Sequence, residues 1–357
     1  MVKRLGIIGT GKSIGVSNDH LKGIRAVPGW ELTSIYDLHR DHAEHFAEKN
    51  GLSSKVIRSS LDDLLSQVDA VTICTDNKSH AELVREALKR GLPVQCEKPL
   101  SRNYAESLAL AKEAQEAGVV HYMSMQYRYH PYAQIIKGLI GELGEVYYYR
   151  QKLGGARIAN PGIGLEWRMQ KELSGPGALI DFGVHELDLL HYFLAETCGD
   201  ITEVQAELVT AIKERDKLDG SGRSQVTNDD MGAIIGRLEN GGLVTLNSSR
   251  VVPDDGNGLE IVGTRGAIWM DGRGDVYFRG KKPNGAWDQA ALVPAEAKHM
   301  FPGLARGKQY AEFLDIIENG TGYELDFFYG AQIVRVIDAA VRSSEEGRKV
   351  SISEIKG

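Results

Sequence analysis

Basic excess is missing from this sequence. Its 42 lysines and arginines are outnumbered by 49 aspartates and glutamates, which leaves a formal net charge of −7 and a pI near 5.9. A nucleic-acid binder normally carries a basic footprint, so no nucleic-acid partner is expected. Long apolar runs are missing too. No stretch approaches the roughly 18 apolar residues of a membrane span, and no membrane association is expected. The charged start Met1-Val2-Lys3-Arg4 leads into an apolar run broken by Gly6, Gly9 and Gly11. That reads as a strand and turn, not a signal peptide. Cysteine is scarce. Cys74, Cys96 and Cys198 are odd in number and widely spaced. They provide neither a disulfide framework nor metal-ligand spacing, and they suit a reducing, cytoplasmic setting. Internal repeats and low-complexity tracts are absent.

What is there is an ordinary globular composition, 42% hydrophobic and 25% charged, over 357 residues. At roughly 150 residues per domain, that length predicts two domains. In the first, Leu5 to Ile8 is a buried-strand pattern running into Gly9-Thr10-Gly11-Lys12-Ser13-Ile14-Gly15, with a helix from Asp19 to Val27. Strand, glycine loop and helix are the context of a dinucleotide fingerprint, in which a pyrophosphate meets a helix N-terminus. The match is imperfect, because Ile14 occupies the third glycine position and the loop looks long. Trp30 to Tyr36 predicts a second strand ending at Asp37. An acid there accepts hydrogen bonds from ribose hydroxyls and repels a 2′-phosphate, which favours NAD over NADP. The nearby Arg40 softens that preference, and helix capping by Asp37 is the competing role.

Strands and helices then alternate. Strands are expected at Val56-Ile57, Asp69–Cys74, Val94–Cys96 and Val119–Met125, and helices at Asp41–Asn50, Ser60–Ser66, Ala81–Arg90 and Tyr104–Ala117. The all-apolar strands predict a doubly wound parallel sheet buried on both faces. Val94-Gln95-Cys96 exits into Glu97-Lys98-Pro99, so charge sits at a strand's carboxyl edge, where open α/β sheets bind ligands. Pro99 pushes Lys98 toward an extended backbone and raises the chance of a cis bond.

After Gln126 the pattern changes. Strands joined by short turns (Asn240-Gly241-Gly242, Asp271-Gly272) predict a mainly antiparallel open sheet, with helices at Pro131–Ile140, Asp181–Leu194, Tyr310–Asn319 and Phe328–Glu346. The fold expected is a Rossmann-type α/β domain over residues 1–125 and an α+β domain over 126–357. Arg215 to Asn228 is polar and glycine-rich and reads as a mobile loop. Asp181, His185 and Asp188 fall at i, i+4 and i+7, one polar stripe on an otherwise apolar helix. A buried polar stripe needs a partner or a cavity. For His185 two roles stay open, a satisfied core histidine and a general base.

These elements together resemble the glucose–fructose oxidoreductase / inositol dehydrogenase (Gfo/Idh/MocA) family. The resemblance is carried by Gly9-Thr10-Gly11, Asn77 with His80, Glu97-Lys98-Pro99, Arg128 followed by Pro131, and Gly177-Ala-Leu-Ile-Asp181-Phe-Gly-Val-His185-Glu-Leu-Asp188. It runs over nearly the whole chain. Asp76 departs from it, standing where members usually have proline. The resemblance implies a catalytic set of Lys98, Asp181 and His185. It implies cofactor contacts from Thr75, Asn77, His80, Glu97 and Gln126, alongside Gly9, Gly11, Lys12, Ser13, Asp37 and Lys98.

The chemistry expected is hydride transfer between NAD (NADP second) and a secondary hydroxyl of a sugar or cyclitol. His185 is the base, Lys98 stabilises the alkoxide and Asp181 orients the imidazole. Arg128, Trp167, Arg168 and Asp188 join those three as candidate substrate residues, while Tyr127 and Tyr129 are expected to pack. The open sheet suggests a homo-dimer or homo-tetramer. No His/Cys cluster has metal-ligand spacing. Elimination or glycoside cleavage with retained NAD is the alternative chemistry, and a non-catalytic nucleotide sensor the remote one.

Overall fold

The computed structural model describes residues 1–11, 15–294 and 302–357. The first half comprises β1 (Lys3–Ile8), α1 (Val16–Arg25), β2 (Trp30–Tyr36), α2 (Arg40–Lys49), α3 (Leu61–Leu65), β3 (Ala70–Ile73), α4 (Asn77–Leu88), β4 (Val94–Glu97), α5 (Tyr104–Ala117) and β5 (His121–Ser124). Its five strands are all parallel in the order β2-β1-β3-β4-β5. Every residue of β3, β4 and β5 is buried, as a sheet covered on both faces requires.

Three local expectations change. Val56-Ile57 is not a strand; Ser54–Val56 is a 3-10 turn, and Ile57 makes only a single parallel bridge to Ile35. That bridge still marks the outer edge beside β2, so the sheet keeps the doubly wound arrangement, with its crevice between β1 and β3. The helix expected from Ala81 starts at Asn77, because Asp76 caps it, accepting from the Ser79 amide at 3.2 Å. The departure from proline at position 76 is thus a capping residue. The helix expected from Asp19 starts at Val16, which shortens the loop before it.

The second half comprises α6 (Pro131–Leu139), β6 (Val146–Gly154), α7 (Lys171–Ser174), α8 (Val184–Cys198), β7 (Ile201–Val209), β8 (Glu214–Asp216), β9 (Arg223–Gln225), β10 (Met231–Leu238), β11 (Leu243–Ser249), β12 (Gly258–Gly263), β13 (Gly266–Met270), β14 (Val276–Gly280), β15 (Ala291–Leu292), α9 (Pro302–Asn319), α10 (Phe327–Glu346) and β16 (Val350–Ser351). Nine strands form a sheet in the order β15-β14-β13-β12-β6-β11-β10-β7-β16, antiparallel except between β6 and β11. β10 alternates buried and exposed residues, the mark of a sheet with one covered face and one open face. Arg215 to Asn228 is not a bare loop. It contains the β8–β9 hairpin, and Arg215 is buried.

Two late helices tie the halves together. α9 crosses back onto α1, where a Cβ at Gly23 would lie 2.6 Å from the Arg306 Cβ. On α9, Tyr310 bonds His20 at 2.7 Å and Phe313 stacks on Trp30. α10 lies against both sheets. Its Asp338 accepts from the Tyr104 amide at 2.8 Å and its Ser343 from the Ala206 amide at 3.0 Å.

α8 carries a buried acid, Glu186, bonded to the Ser248 hydroxyl and, at 3.2 Å, to the Asn247 amide. Burial pushes its carboxyl up to about 8. The folded protein therefore holds a proton that the unfolded chain releases near pH 4.5. Stability is full below that value and is lost as pH rises to about 8. Glu186→Gln should remove this dependence. Between pH 5 and 8, chemical denaturation should show the variant gaining on the parent by a few kcal/mol, at about 1.4 kcal/mol per pH unit. Parallel pH profiles would refute a protonated Glu186.

Candidate active site

β4 delivers Lys98 to the carboxyl edge of the first sheet, and the Lys98-Pro99 peptide is cis. The ammonium crosses to the second half, where Lys98 Nζ donates to Asp181 O at 2.8 Å and Asp181 Oδ1 at 2.9 Å. Both side chains retain some exposure, 16% and 28%, because they face a cavity of about 600 Å³. Burial raises the Asp181 carboxyl, but the charges of Lys98 and Arg168 outweigh it and hold the group well below the usual carboxylate range. His185 lies beside this pair and lines the same cavity. Burial, with the Lys98 charge second, drives its imidazole well below 6.5, so it is neutral at physiological pH. Its Nδ1 has no partner among the described residues, and the Tyr127 ring lies 4.4 Å away between centroids.

Asp181 sits in a π turn, Leu179–Gly183, that leads into α8. The turn is held at its start by Asp229, which accepts from the amides of Gly177 (2.6 Å), Ala178 (2.7 Å) and Leu179 (3.3 Å). Gly177 has to be glycine, since a Cβ there would stand 1.8 Å from the Asp229 carbonyl oxygen.

The glycine loop lies at the crevice of the first sheet. Gly9 has φ +88° and a Cβ there would meet Thr75 at 2.6 Å, while Gly11 has φ +59°. Asp37 holds this loop, accepting from Thr10 N (2.9 Å), Thr10 Oγ1 (3.1 Å) and Gly11 N (3.0 Å). Burial opposes its ionisation, but the amides of His39, Gly11 and Thr10 win and keep it an anion. Asp37 does not cap α2, whose N-cap is His39. Along the same edge Thr75, Asn77, Glu97 and Gln126 line the cavity, and Gln126 Oε1 is buried without a partner among the described residues. Positive-φ glycines that bring backbone close, an anion at the end of β2 and an unsatisfied amide oxygen together fit a nicotinamide dinucleotide.

Residues 3–125 match the family described as "Oxidoreductase family, NAD-binding Rossmann fold", and residues 137–352 match its "C-terminal alpha/beta domain". The chain belongs to the Gfo/Idh/MocA oxidoreductase family. Among its relatives is the levoglucosan dehydrogenase of Pseudarthrobacter phenanthrenivorans, 28% identical over 354 residues that cover 89% of this chain and 88% of that protein. The glucose-6-phosphate 3-dehydrogenase of Bacillus subtilis is 30% identical over 272 residues, 73% of this chain and 72% of that one. A solved levoglucosan dehydrogenase in complex with NADH and levoglucosan superposes with a TM-score of 0.87 at 25% identity, covering 99% of this chain and 100% of that one.

Within this Gfo/Idh/MocA scaffold, several expected site residues play other parts. Arg128 and Asp188 do not line the cavity. Arg128 Nη2 donates to Asp188 Oδ1 at 2.6 Å and to the Tyr329 hydroxyl at 2.9 Å, and its Nη1 donates to Glu324 at 2.7 Å. Both Arg128 and Asp188 are buried, and Asp188 is 0% exposed. The i, i+4, i+7 stripe is real, but it runs down the helix axis. At 1.5 Å per residue, Asp188 lies roughly 10 Å below Asp181, under the floor of the cleft.

His80 is likewise buried away from the cavity, and its Nδ1 donates to the Pro99 carbonyl at 2.8 Å, bracing the Lys98 turn. Asn77 donates to the Ser174 carbonyl at 2.7 Å. Glu97 lines the cavity, but its carboxylate is taken by Arg306 (2.7 Å) and His20 (2.8 Å). Burial raises Glu97, but Arg306 and His20 outweigh that and keep it ionised. Lys12 and Ser13 lie outside the described residues.

Trp167 and Arg168 line the cavity, but sequence reasoning missed the strap that carries them, residues 155–168, which also brings Arg157 and Ile158 to the cavity wall. The β8–β9 hairpin pins it down. Arg215 donates to the carbonyls of Ile158, Asn160 (3.1 Å) and Ile163 (2.9 Å), and Leu165 N donates to Asp216 O at 2.7 Å. Arg306, Arg250 and Tyr127 also line the site. Nothing in local spacing marks Arg306 and Arg250, because each reaches the cavity from a distant element. Tyr127, expected only to pack, both packs on His185 and faces the cleft.

Proposed function

We propose that this protein is an NAD-dependent dehydrogenase that moves a hydride between the cofactor and a secondary hydroxyl of a sugar or cyclitol. The observation that carries this is the Lys98 ammonium, fixed by Asp181 at 2.8 and 2.9 Å, beside a neutral His185 in one cavity. The names of the dehydrogenase relatives support it. When bound, the nicotinamide supplies the hydride acceptor. The protein's own task is then the hydroxyl proton and the charge on oxygen. The neutral His185 imidazole accepts the proton, which a charged one would not do. Lys98 Nζ holds the oxygen as negative charge develops on it, from a position set before substrate arrives. Asp181 keeps Lys98 aimed, and its lowered carboxyl keeps it from competing for the proton.

In this reading residues 1–125 hold the cofactor and 126–357 the substrate, with Arg306 of α9 anchoring Glu97 beneath both. The three cysteines are all buried and free, which fits a cytoplasmic enzyme. The open face of the large sheet, with Ile235 and Leu243 exposed, supports a homo-oligomer. The test is a panel of sugars and cyclitols with NAD and with NADP, read as absorbance of the reduced cofactor. Turnover should be faster with NAD, because the Asp37 carboxylate repels a 2′-phosphate. A preference for NADP would refute the role of Asp37, and no turnover with either would refute the dehydrogenase reading.

A further inference from the structure

Among the described residues, five cationic side chains line the cavity: Lys98, Arg157, Arg168, Arg250 and Arg306. Four are paired. Lys98 meets Asp181, and Arg157 meets Glu166 through two contacts of 2.9 and 2.6 Å. Arg306 meets Glu97 at 2.7 Å, and Arg250 lies 3.7 Å from Asp230. Arg168 differs. Its guanidinium makes no hydrogen bond and no ion pair with any described residue, and its Cζ lies over the Trp167 ring, 4.2 Å from the centroid.

The backbone of Arg168, by contrast, is tightly held. Its carbonyl accepts from Arg250 Nη1 (2.5 Å), Asn228 Nδ2 (2.9 Å) and Ser174 Oγ (3.2 Å). The result is a guanidinium anchored at its root, braced on an aromatic face and half-buried, with its donors unused. As part of the cavity lining, those donors are open to the oxygens of a ligand. The nearby carboxylates do not serve, since Asp181 is committed to Lys98 and Glu166 to Arg157. A guanidinium's planar fork matches the two oxygens of a carboxylate or phosphate.

We propose that Arg168 is a specificity residue for an anionic group on the substrate, so that the sugar oxidised here is a sugar acid or a sugar phosphate. This deepens the dehydrogenase reading and rests on it. A neutral hexose would meet Lys98, Asp181 and His185 but leave the Arg168 fork unfilled. A charged one adds a contact at the Arg168 fork to those at the catalytic set, which fixes which ring hydroxyl faces that set.

The test uses matched trios with NAD: a hexose, its uronate and its 6-phosphate, in the gluco, galacto and manno series. One charged member should exceed its neutral parent in kcat/KM by about tenfold or more, and its KM should rise with ionic strength. The uronate and phosphate arms tell the two anions apart. Arg168→Gln should raise KM for that charged sugar about 10- to 100-fold with a smaller effect on kcat, and Arg168→Lys, which keeps the charge but not the fork, should fall between. NADH titration by fluorescence shows that each variant still folds. If neutral hexoses are turned over as well as or better than both charged forms, or if Arg168→Gln leaves KM unmoved, the anion-binding role is overturned while the dehydrogenase reading stands. If no sugar of either kind is oxidised, both fall together.

Discussion

Lys98→Ala is expected to lower kcat by about 10³-fold, the loss typical of removing a fixed donor from a developing oxyanion. The fixed geometry is the reason. Lys98 Nζ is held by two oxygens of Asp181, so its charge is in place before substrate arrives. His185→Ala should lose about 10²- to 10⁴-fold, as removal of a general base does. The pH profile links the two. Burial and the Lys98 charge hold the His185 imidazole well below 6.5, so parent activity should stay flat through pH 6.5 and fall only in more acidic buffer. Without Lys98 one of those two effects is gone. The acid limb of the residual Lys98→Ala activity should therefore move toward neutral pH. Unchanged kcat in either variant would remove these residues from the chemistry. An acid limb near 6.5 in the parent would mean that His185 is not shielded as the structure implies.

Arg128→Ala should act on stability instead. Asp188 is fully buried and takes its charge partner from Arg128 at 2.6 Å, with the Tyr329 hydroxyl donating at 2.7 Å. Removing the arginine strands a buried carboxylate and opens the contact with Glu324. The expected loss is about 3–5 kcal/mol, seen as a fall in Tm of roughly 4–7 °C. Replacing both partners by apolar residues of similar size, Arg128→Met with Asp188→Leu, should cost less than the single change, because no charge is left buried. Denaturation of the two variants measures this directly. If Arg128→Ala kept full stability and instead raised KM for the sugar, Arg128 would return to the substrate site.

Arg128 and Lys98 show how differently two basic residues are encoded. Lys98 was legible from its neighbours. An apolar strand running into Glu97-Lys98-Pro99 puts it at a sheet edge, the family resemblance gives it a role there, and β4 ends one residue past the expected Cys96, at Glu97. Arg128 carried an equally polar signature, but its direction depends on α8 and on Glu324 and Tyr329, 196 and 201 residues away. The same limit applies to Asp188. Helical spacing shows which residues share a stripe, but not how deep along the axis the cleft reaches.

Sequence pattern by itself determined the parallel sheet and the mainly antiparallel sheet, whereas the grouping of Lys98 with Asp181 and His185 came from the family resemblance. Pattern could do so because burial on one or two faces writes a period into neighbouring residues. β2 and α5 accordingly begin and end where their patterns predict. Only the tertiary structure decided which charges are already answered. Arg306 on α9 claims Glu97, Asp229 anchors the turn that carries Asp181, and the β8–β9 hairpin clamps the strap that holds Arg168. Ion pairing is settled by whatever packing brings within about 4 Å, across any distance in the chain, and such contacts leave no periodic trace in the sequence.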